Sequence, residues 1–578
     1  MERSVNPTRT TEKKEVELTR IYSAATGQVN ETTKTYESST SGEVPNLQRT
    51  DLDAAIEAAV NNRQLNPRQI QLTAIAGSIG ANGSGVLSGP LCLLIGFLFW
   101  TTVVVCIAQC QTETVGLFPL DGSFIRLAAR MVDPALGVAV GWNHFVGCII
   151  ALLYLTNKRV RTNVLCHLRG YCPQYTCRVL GVWPITCHLI TVALLFFLAI
   201  NVYRADLFGE AEFWLALGKV LLATGLIVYT FVTMVGGNPE HDRYGFRYWR
   251  DPGPWAGTSP STRLESFINA VNVAGFCMGG PEYISMIAGE AKDPRRTVPR
   301  AFKTIVARLI VFFIGGSLCV GILVPYNDKT LNNGASTYSG ASPYVISMQR
   351  LQIPVLPSIV TAALLTSIIS AGNAYTFNAS RSLHALALEG QAPKIFRRLN
   401  KKGVPYIAVI MVMLLSCLAY LALGSSNSQV LNWILNFCTA ATMFNWSVMS
   451  MTWIRFNAAM KAQGIERTGF LPSVSRFQPF AGYWGFGWSF LFLWLQGYSV
   501  FLKGNWKVAT FIFDYGIIAL AGGIGVAWKI VKRTPLHHSK DVDLSTNLKF
   551  FEALTEYYRN EREAAPISVK DKMLAKLF

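Results

Sequence analysis

Apolar runs of membrane length recur along the chain from about residue 70 to residue 531, separated by short polar stretches. A helix rising about 1.5 Å per residue needs about 20 mostly apolar residues to cross a bilayer. That rule picks out segments at 70–90, 91–110, 135–155, 182–201, 212–235, 264–288, 304–325, 354–378, 404–423, 430–454, 484–502 and 508–531. They predict an all-α polytopic membrane protein with about twelve transmembrane helices. Residues 1–66 are polar and rich in Thr, Ser, Glu and Lys, a composition that predicts a disordered cytosolic tail. The transmembrane domain then spans 67–533, and a second cytosolic tail covers 534–578.

Charge refines this picture. Hydrophobic residues make up 51% of the 578 positions and charged residues only 15%, whereas soluble domains carry about 25%. So few charges cannot solvate a globule of this size, and the surface must face lipid. The net charge of +18 raises nucleic acid as a partner, but the Lys and Arg sit in short clusters between apolar runs. That distribution belongs to membrane loops, and no nucleic-acid partner is expected. "AKDPRRTVPRAFK" (291–303), "PKIFRRLNKKG" (393–403) and the Arg455–Arg476 loop are strongly basic. "GSSNSQ" (424–429) is uncharged, and the 325–353 loop carries only Lys329 and Arg350 among its basic residues. Alternate loops are therefore basic, which predicts that they and both termini face the cytosol. The long aromatic loop at 236–263 would face outward.

Two apolar segments are interrupted in a way a lipid-facing helix would not need. One is "AIAGSIGANGSGVLSGP" (74–90) and the other "NVAGFCMGGPEYISMIAGE" (272–290). Gly and Pro free backbone groups that hydrocarbon cannot satisfy, so such breaks are tolerated where backbone lines a cavity. The breaks fall in spans 1 and 6, the spacing a repeat of five helices would give. A zwitterion suits the pair: its carboxylate can accept from N–H groups around Gly77, Ser78 and Gly80, and its ammonium can donate to carbonyls near Phe276 and Gly279. Close helix packing through small residues is the alternative. Glu282 is an ionisable residue at membrane depth, where such groups usually serve function. It either carries a proton or, as a hydrogen-bonded carboxyl, merely fixes span 6.

Other chemistry is weaker. "GANGSG" (80–85) lacks the strand–turn–helix setting of a nucleotide loop. Cys166, Cys172, Cys177, Cys187 and the nearby histidines lack the paired spacing of a zinc site, leaving an extracellular disulfide as the other option. No catalytic constellation recurs. An enzyme is not expected, nor is a cofactor or a metal.

Several stretches together resemble the fungal amino-acid permeases of the amino acid–polyamine–organocation superfamily. They are "RQIQLTAIAGSIG" (68–80), "PLDGSFIRLAARMVDPALGVAVGWNHF" (119–145), "FGEAEFWLALGKV" (208–220), "AGEAKDPRRTVPRAFK" (288–303) and "SAGNAYTFNASRSLHALALEGQAPKIFRRLNKKGVPY" (370–406). The resemblance implies a 5+5 inverted-repeat transporter fold with broken helices 1 and 6. It also implies proton-coupled amino-acid uptake at the plasma membrane, with ubiquitination machinery as a partner of the cytosolic tails. Substrate contacts are implied at Gly77, Ser78, Ile79 and Gly80, and at the helix 6 break, where the family pattern falls on Phe276, Cys277, Gly279, Gly280 and Glu282. Glu282, as the acid at membrane depth, is the candidate for proton coupling. An amino-acid sensor without net transport and an inactive permease-like product are the rival readings.

Two departures from the family pattern stand out. After "GSIGA" the chain reaches its "GP" turn early, so span 1 looks short. After "GWNHF" the family continues as an apolar helix with a buried acid that would fall near Leu155. Here "NKRVRTNVLCHLRGYCPQYTCRV" (157–179) follows instead. A Lys or Arg at the centre of a membrane helix costs about 2.5–3.5 kcal/mol, so this run must end span 3 early. Much of 146–188 reads as translated intron or a shifted frame.

Overall fold

The computed structural model describes residues 56–57, 59–60, 63, 65–70, 83–155, 182–328, 331, 342–424 and 428–564. Its architecture is helical throughout; among the described residues the only bridge of strand type is the isolated pair Leu65–Ala291. The principal helices are α1 (Pro90–Leu117), α2 (Ser123–Met131), α3 (Pro134–Tyr154), α4 (Val182–Tyr203), α5 (Ala205–Met234), α6 (Pro260–Cys277), α7 (Pro281–Ile287), α8 (Pro294–Arg308) and α9 (Gly315–Leu323). They continue with α10 (Leu356–Leu388), α11 (Tyr406–Ser416), α12 (Ser428–Ala462), α13 (Phe480–Leu495), α14 (Val508–Lys532) and α15 (Leu548–Ala564). Among the described residues six helices are long and apolar enough to cross a membrane: α1, α3, α5, the continuous run Pro294–Leu323, α10 and α14.

The helices sort into inner and outer. α3 has 72% of its apolar window inside the fold, against 17% for α14. α3 packs on α10 and α12, and the α12 contact is fixed by polar pairs. Asn143 Nδ2 donates to Asn445 Oδ1 (2.8 Å) and to the Ala441 carbonyl (2.9 Å). Outer helices present large apolar side chains: Trp214, Leu221 and Phe231 of α5 are each about two-thirds exposed. Water would not tolerate such a surface, but lipid does.

The helices run past the apolar segments seen in the sequence, and packing explains why. The segment 291–303, expected as a loop, is mostly the start of α8, with Pro294 at its first turn. A proline there removes an N–H that would be unsatisfied anyway. α10 extends to Leu388 and carries buried Arg381 and His384. Arg381 Nε donates to Glu290 (2.8 Å) while its guanidinium lies 3.9 Å from the Phe377 ring centroid, and His384 Nδ1 meets the Phe396 carbonyl at 2.9 Å. Partners supplied across the fold let charge continue a helix that hydropathy alone would end.

The basic connections share one face. Asp133 caps α3 through the Ala135 N–H (2.8 Å) and pairs with Lys529 of α14. Glu113 of α1 accepts from Trp453 Nε1 (2.8 Å) and from the Ser475 N–H (2.8 Å) and pairs with Arg467. α15 docks on the same face with Phe550, Phe551, Leu554 and Tyr558 buried. Packing also begins upstream of residue 66, the boundary expected from composition: Arg63 donates to the carbonyls of Pro119, Ala288 and Ala291 at 3.2–3.3 Å. On the opposite face the 236–263 loop meets the start of α1, where the Leu91 N–H donates to Pro254 O (3.1 Å). Gly89 there has φ +95°, and a Cβ would lie 2.7 Å from that same carbonyl, so only glycine fits.

The expected non-family segment mostly lies outside the described residues, at 156–181, as do the side chains of Cys166, Cys172, Cys177 and Cys187. Its described edges are the end of α3, helical to Tyr154, and the start of α4 at Val182. Leu155, where the family acid would fall, is buried with Ile368 and Ala371 of α10.

Candidate functional site

Span 6 is two helices. α6 ends at Cys277, and α7 begins at Pro281 after Met278, Gly279 and Gly280. Pro281 cannot donate to the preceding turn, which ends the α6 ladder. The chain restarts with the Tyr283 and Ile284 N–H groups donating to Gly280 O (3.1 and 3.3 Å). A Cβ on Gly279 would sit 2.9 Å from Glu282 Oε1. A side chain there would displace the Glu282 carboxylate, and the close approach puts Oε1 on the side of the break.

Glu282 stands in the first turn of α7 and is 3% exposed. Its Oε2 accepts from Trp446 Nε1 of α12 at 2.9 Å, and among the described residues it makes no ion pair. Trp446 lies 5.4 Å, centroid to centroid, from Trp100 of α1, whose Nε1 donates to the Val271 carbonyl (2.7 Å). Phe276 meets Tyr154 of α3 edge-on at 6.1 Å, and Tyr283 meets Tyr375 of α10 edge-on at 5.9 Å. Cys277 is buried. The fold thus gathers Phe276, Cys277, Gly279, Gly280 and Glu282 at one junction of α1, α3, α7, α10 and α12, walled by aromatic rings. Gly77, Ser78, Ile79 and Gly80 lie outside the described residues.

A second buried polar centre escaped the reading of the sequence. Glu212 of α5 is 0% exposed and accepts from Ser370 Oγ and from Asn373 Nδ2 (3.1 Å), both on α10. Asn373 Oδ1 in turn accepts from Asn201 Nδ2 of α4 at 2.7 Å. Lys219, two turns further along α5 and 1% exposed, acts on the Glu212 carboxylate through its charge. The signal was present: two ionisable residues seven apart, on one helix face within an apolar run, are costly unless they meet. Their uncharged partners on α4 and α10 could not be read from spacing.

Residues 69–540 match the family model described as "Amino acid permease". The general amino acid permease AGP2 of Saccharomyces cerevisiae is 37% identical over 521 residues, which cover 87% of this chain and 84% of that protein. The proline-specific permease of Emericella nidulans is 34% identical over 525 residues, covering 88% of this chain and 92% of that protein. The dicarboxylic amino acid permease of S. cerevisiae is 34% identical over 540 residues, covering 88% and 83%.

Proposed function

The chain belongs to the amino acid permease family and is a fungal-type member of it, and from that premise we propose that it imports amino acids across the plasma membrane by proton symport. The observation that carries this reading is the break between Cys277 and Pro281, where a glycine pair frees backbone groups beside a buried carboxylate. Hydrocarbon would penalise such a break, whereas a polar ligand can use it. In this reading Phe276, Cys277, Gly279 and Gly280 form the half-site for the substrate ammonium, and Gly77, Ser78, Ile79 and Gly80 form the half-site for its carboxylate. Twelve membrane helices in a 5+5 inverted repeat would bring the two together near the midplane and alternate their access to either side.

Glu282 is the proposed proton carrier. Oε2 is occupied by the Trp446 indole, and Oε1 lies against the glycines of the break. Protonation would therefore change the charge where the ligand sits without changing the Trp446 contact, which the carbonyl oxygen of a neutral carboxyl can also accept.

The relatives are named for substrates as different as proline and dicarboxylic amino acids at equal identity. The substrate therefore has to come from measurement. Expression in a permease-deficient yeast with a mixed labelled amino-acid set should give uptake that rises as external pH falls. Binding without uptake would favour a sensor, absence of both would favour an inactive product, and either outcome would sink the transport reading.

A further inference from the structure

On the face that carries α15, a cavity of about 600 Å³ opens between the start of α8, the 469–473 loop and α15. Its size is that of a small-molecule site, and its charge is one-sided. Arg296, Arg300 and Lys303 recur every three to four residues, which puts them on one face of α8. All three are exposed, and among the described residues none has a side-chain partner. Arg295 and Arg562 add positive charge at the wall; Asp293, paired with Arg562, and Glu552 are its carboxylates. Phe470, Leu471 and Pro472 supply an apolar side. Like charges crowded on one helix face repel, so an arrangement with three unneutralised cations around a preformed hollow favours a polyvalent anion.

We propose that this cavity binds a polyol bearing several phosphate groups, the chemistry shared by phosphorylated inositol lipid headgroups and free inositol phosphates. Arg forks and the Lys ammonium match phosphate oxygens, and several phosphates are needed to meet cations spread over two turns of α8. The position suits a lipid source. Lys303 precedes Ile310 by seven residues, about 10 Å along the helix, and Ile310 is 51% exposed, apolar surface that suits lipid. That source lies in the cytosolic leaflet only if this face is cytosolic, as the proposed topology has it; binding of the phosphorylated polyol itself does not depend on that. Because the cavity is closed by α15 on one side and α8 on the other, occupancy would tighten the docking of the C-terminal helix.

The full chain in phosphatidylcholine nanodiscs would be titrated with dioctanoyl phosphatidylinositol bisphosphate and, separately, with inositol trisphosphate. Saturable binding is expected, weakened about tenfold or more in Arg296→Gln/Arg300→Gln/Lys303→Gln and weakened by rising salt. Lys394→Gln/Lys401→Gln/Lys461→Gln removes equal charge from exposed positions elsewhere and should leave binding unchanged. Glu552→Gln should tighten it, a gain that a misfolded protein cannot give. Binding of the lipid probe alone assigns the site to a membrane lipid, and equal binding of the trisphosphate assigns it to a soluble anion. The proposal fails if both triple variants lose affinity equally, if Glu552→Gln does not tighten binding, or if the unmodified protein binds neither probe more tightly than dioctanoyl phosphatidylserine.

Discussion

At Glu282 a buried carboxylate is held by an indole rather than by a cation, and that distinction decides how its substitutions should behave. Glu282→Gln keeps an acceptor for Trp446 Nε1 but cannot titrate. Uptake should survive at reduced rate and lose its dependence on external pH. If the variant keeps the full pH dependence, Glu282 is not the proton carrier. Trp446→Phe removes the donor instead. It should preserve pH dependence while lowering stability by about 1–3 kcal/mol, the cost of leaving a buried polar group unmatched; a thermal unfolding series in detergent would read this. Gly279→Val places its Cβ against Glu282 Oε1, at 2.9 Å before any shift. Uptake should fall to background with surface delivery intact, and a Val variant that transports normally would show that these glycines only pack. The glycine break and the acid were legible in the sequence because Gly-Gly-Pro-Glu interrupts an apolar run. The indole partner was not, since Trp446 lies 164 positions away and only the folded helices bring it near.

At the scale of elements, polar ties join helices that hydropathy treats alike. Glu212 links α5 to α10, and Asn373 carries the link on to α4. Glu212→Ala would leave Ser370, Asn373 and the Lys219 charge without their acceptor, and about 2–5 kcal/mol of stability should be lost. A thermal midpoint unchanged from the parent would refute the tie. α15 was missed for a different reason. Its Phe550, Phe551, Leu554 and Tyr558 follow a helical spacing that was readable, but the helix lies beyond the last apolar run, in a segment expected only as a tail. Phe551→Ala should cost about 3–5 kcal/mol at this contact, seen as faster hydrogen exchange over α15 and the 288–293 turn. The same dock has an acid limit. Burial pushes Asp543 up, but hydrogen bonds from Thr546 and Ser545 and the charge of Arg130 outweigh it and hold the carboxyl at about 2. A carboxyl lowered in the fold stabilises it above its unfolded value and loses that contribution as pH falls through the folded one. The Arg130–Asp543 contact should therefore persist through mildly acidic pH and weaken only as pH falls towards about 2.

Across the whole molecule, the packing shows which parts of the chain share a face without resting on loop charge. Arg63 and Leu65 bind the turn between α7 and α8, α15 pairs with that turn through Arg562 and Asp293, and the residues after α14 meet α2 through Arg130 and Asp543. The ends of the described chain are thus fastened to one face, the face that also bears the basic start of α8. The packing places both ends of the described chain on one face; the loop charges alone name that face, and they predict the cytosol. Reporter tags at Ser4 and Lys570 should both be inaccessible from outside intact cells and become accessible when the membrane is permeabilised. If one tag is reached from outside and the other is not, the number of membrane crossings is odd, and the twelve-helix repeat falls with the pairing of its two broken helices. If both are reached, the basic face is outward, and a cytosolic lipid could not be the ligand of the α8–α15 cavity.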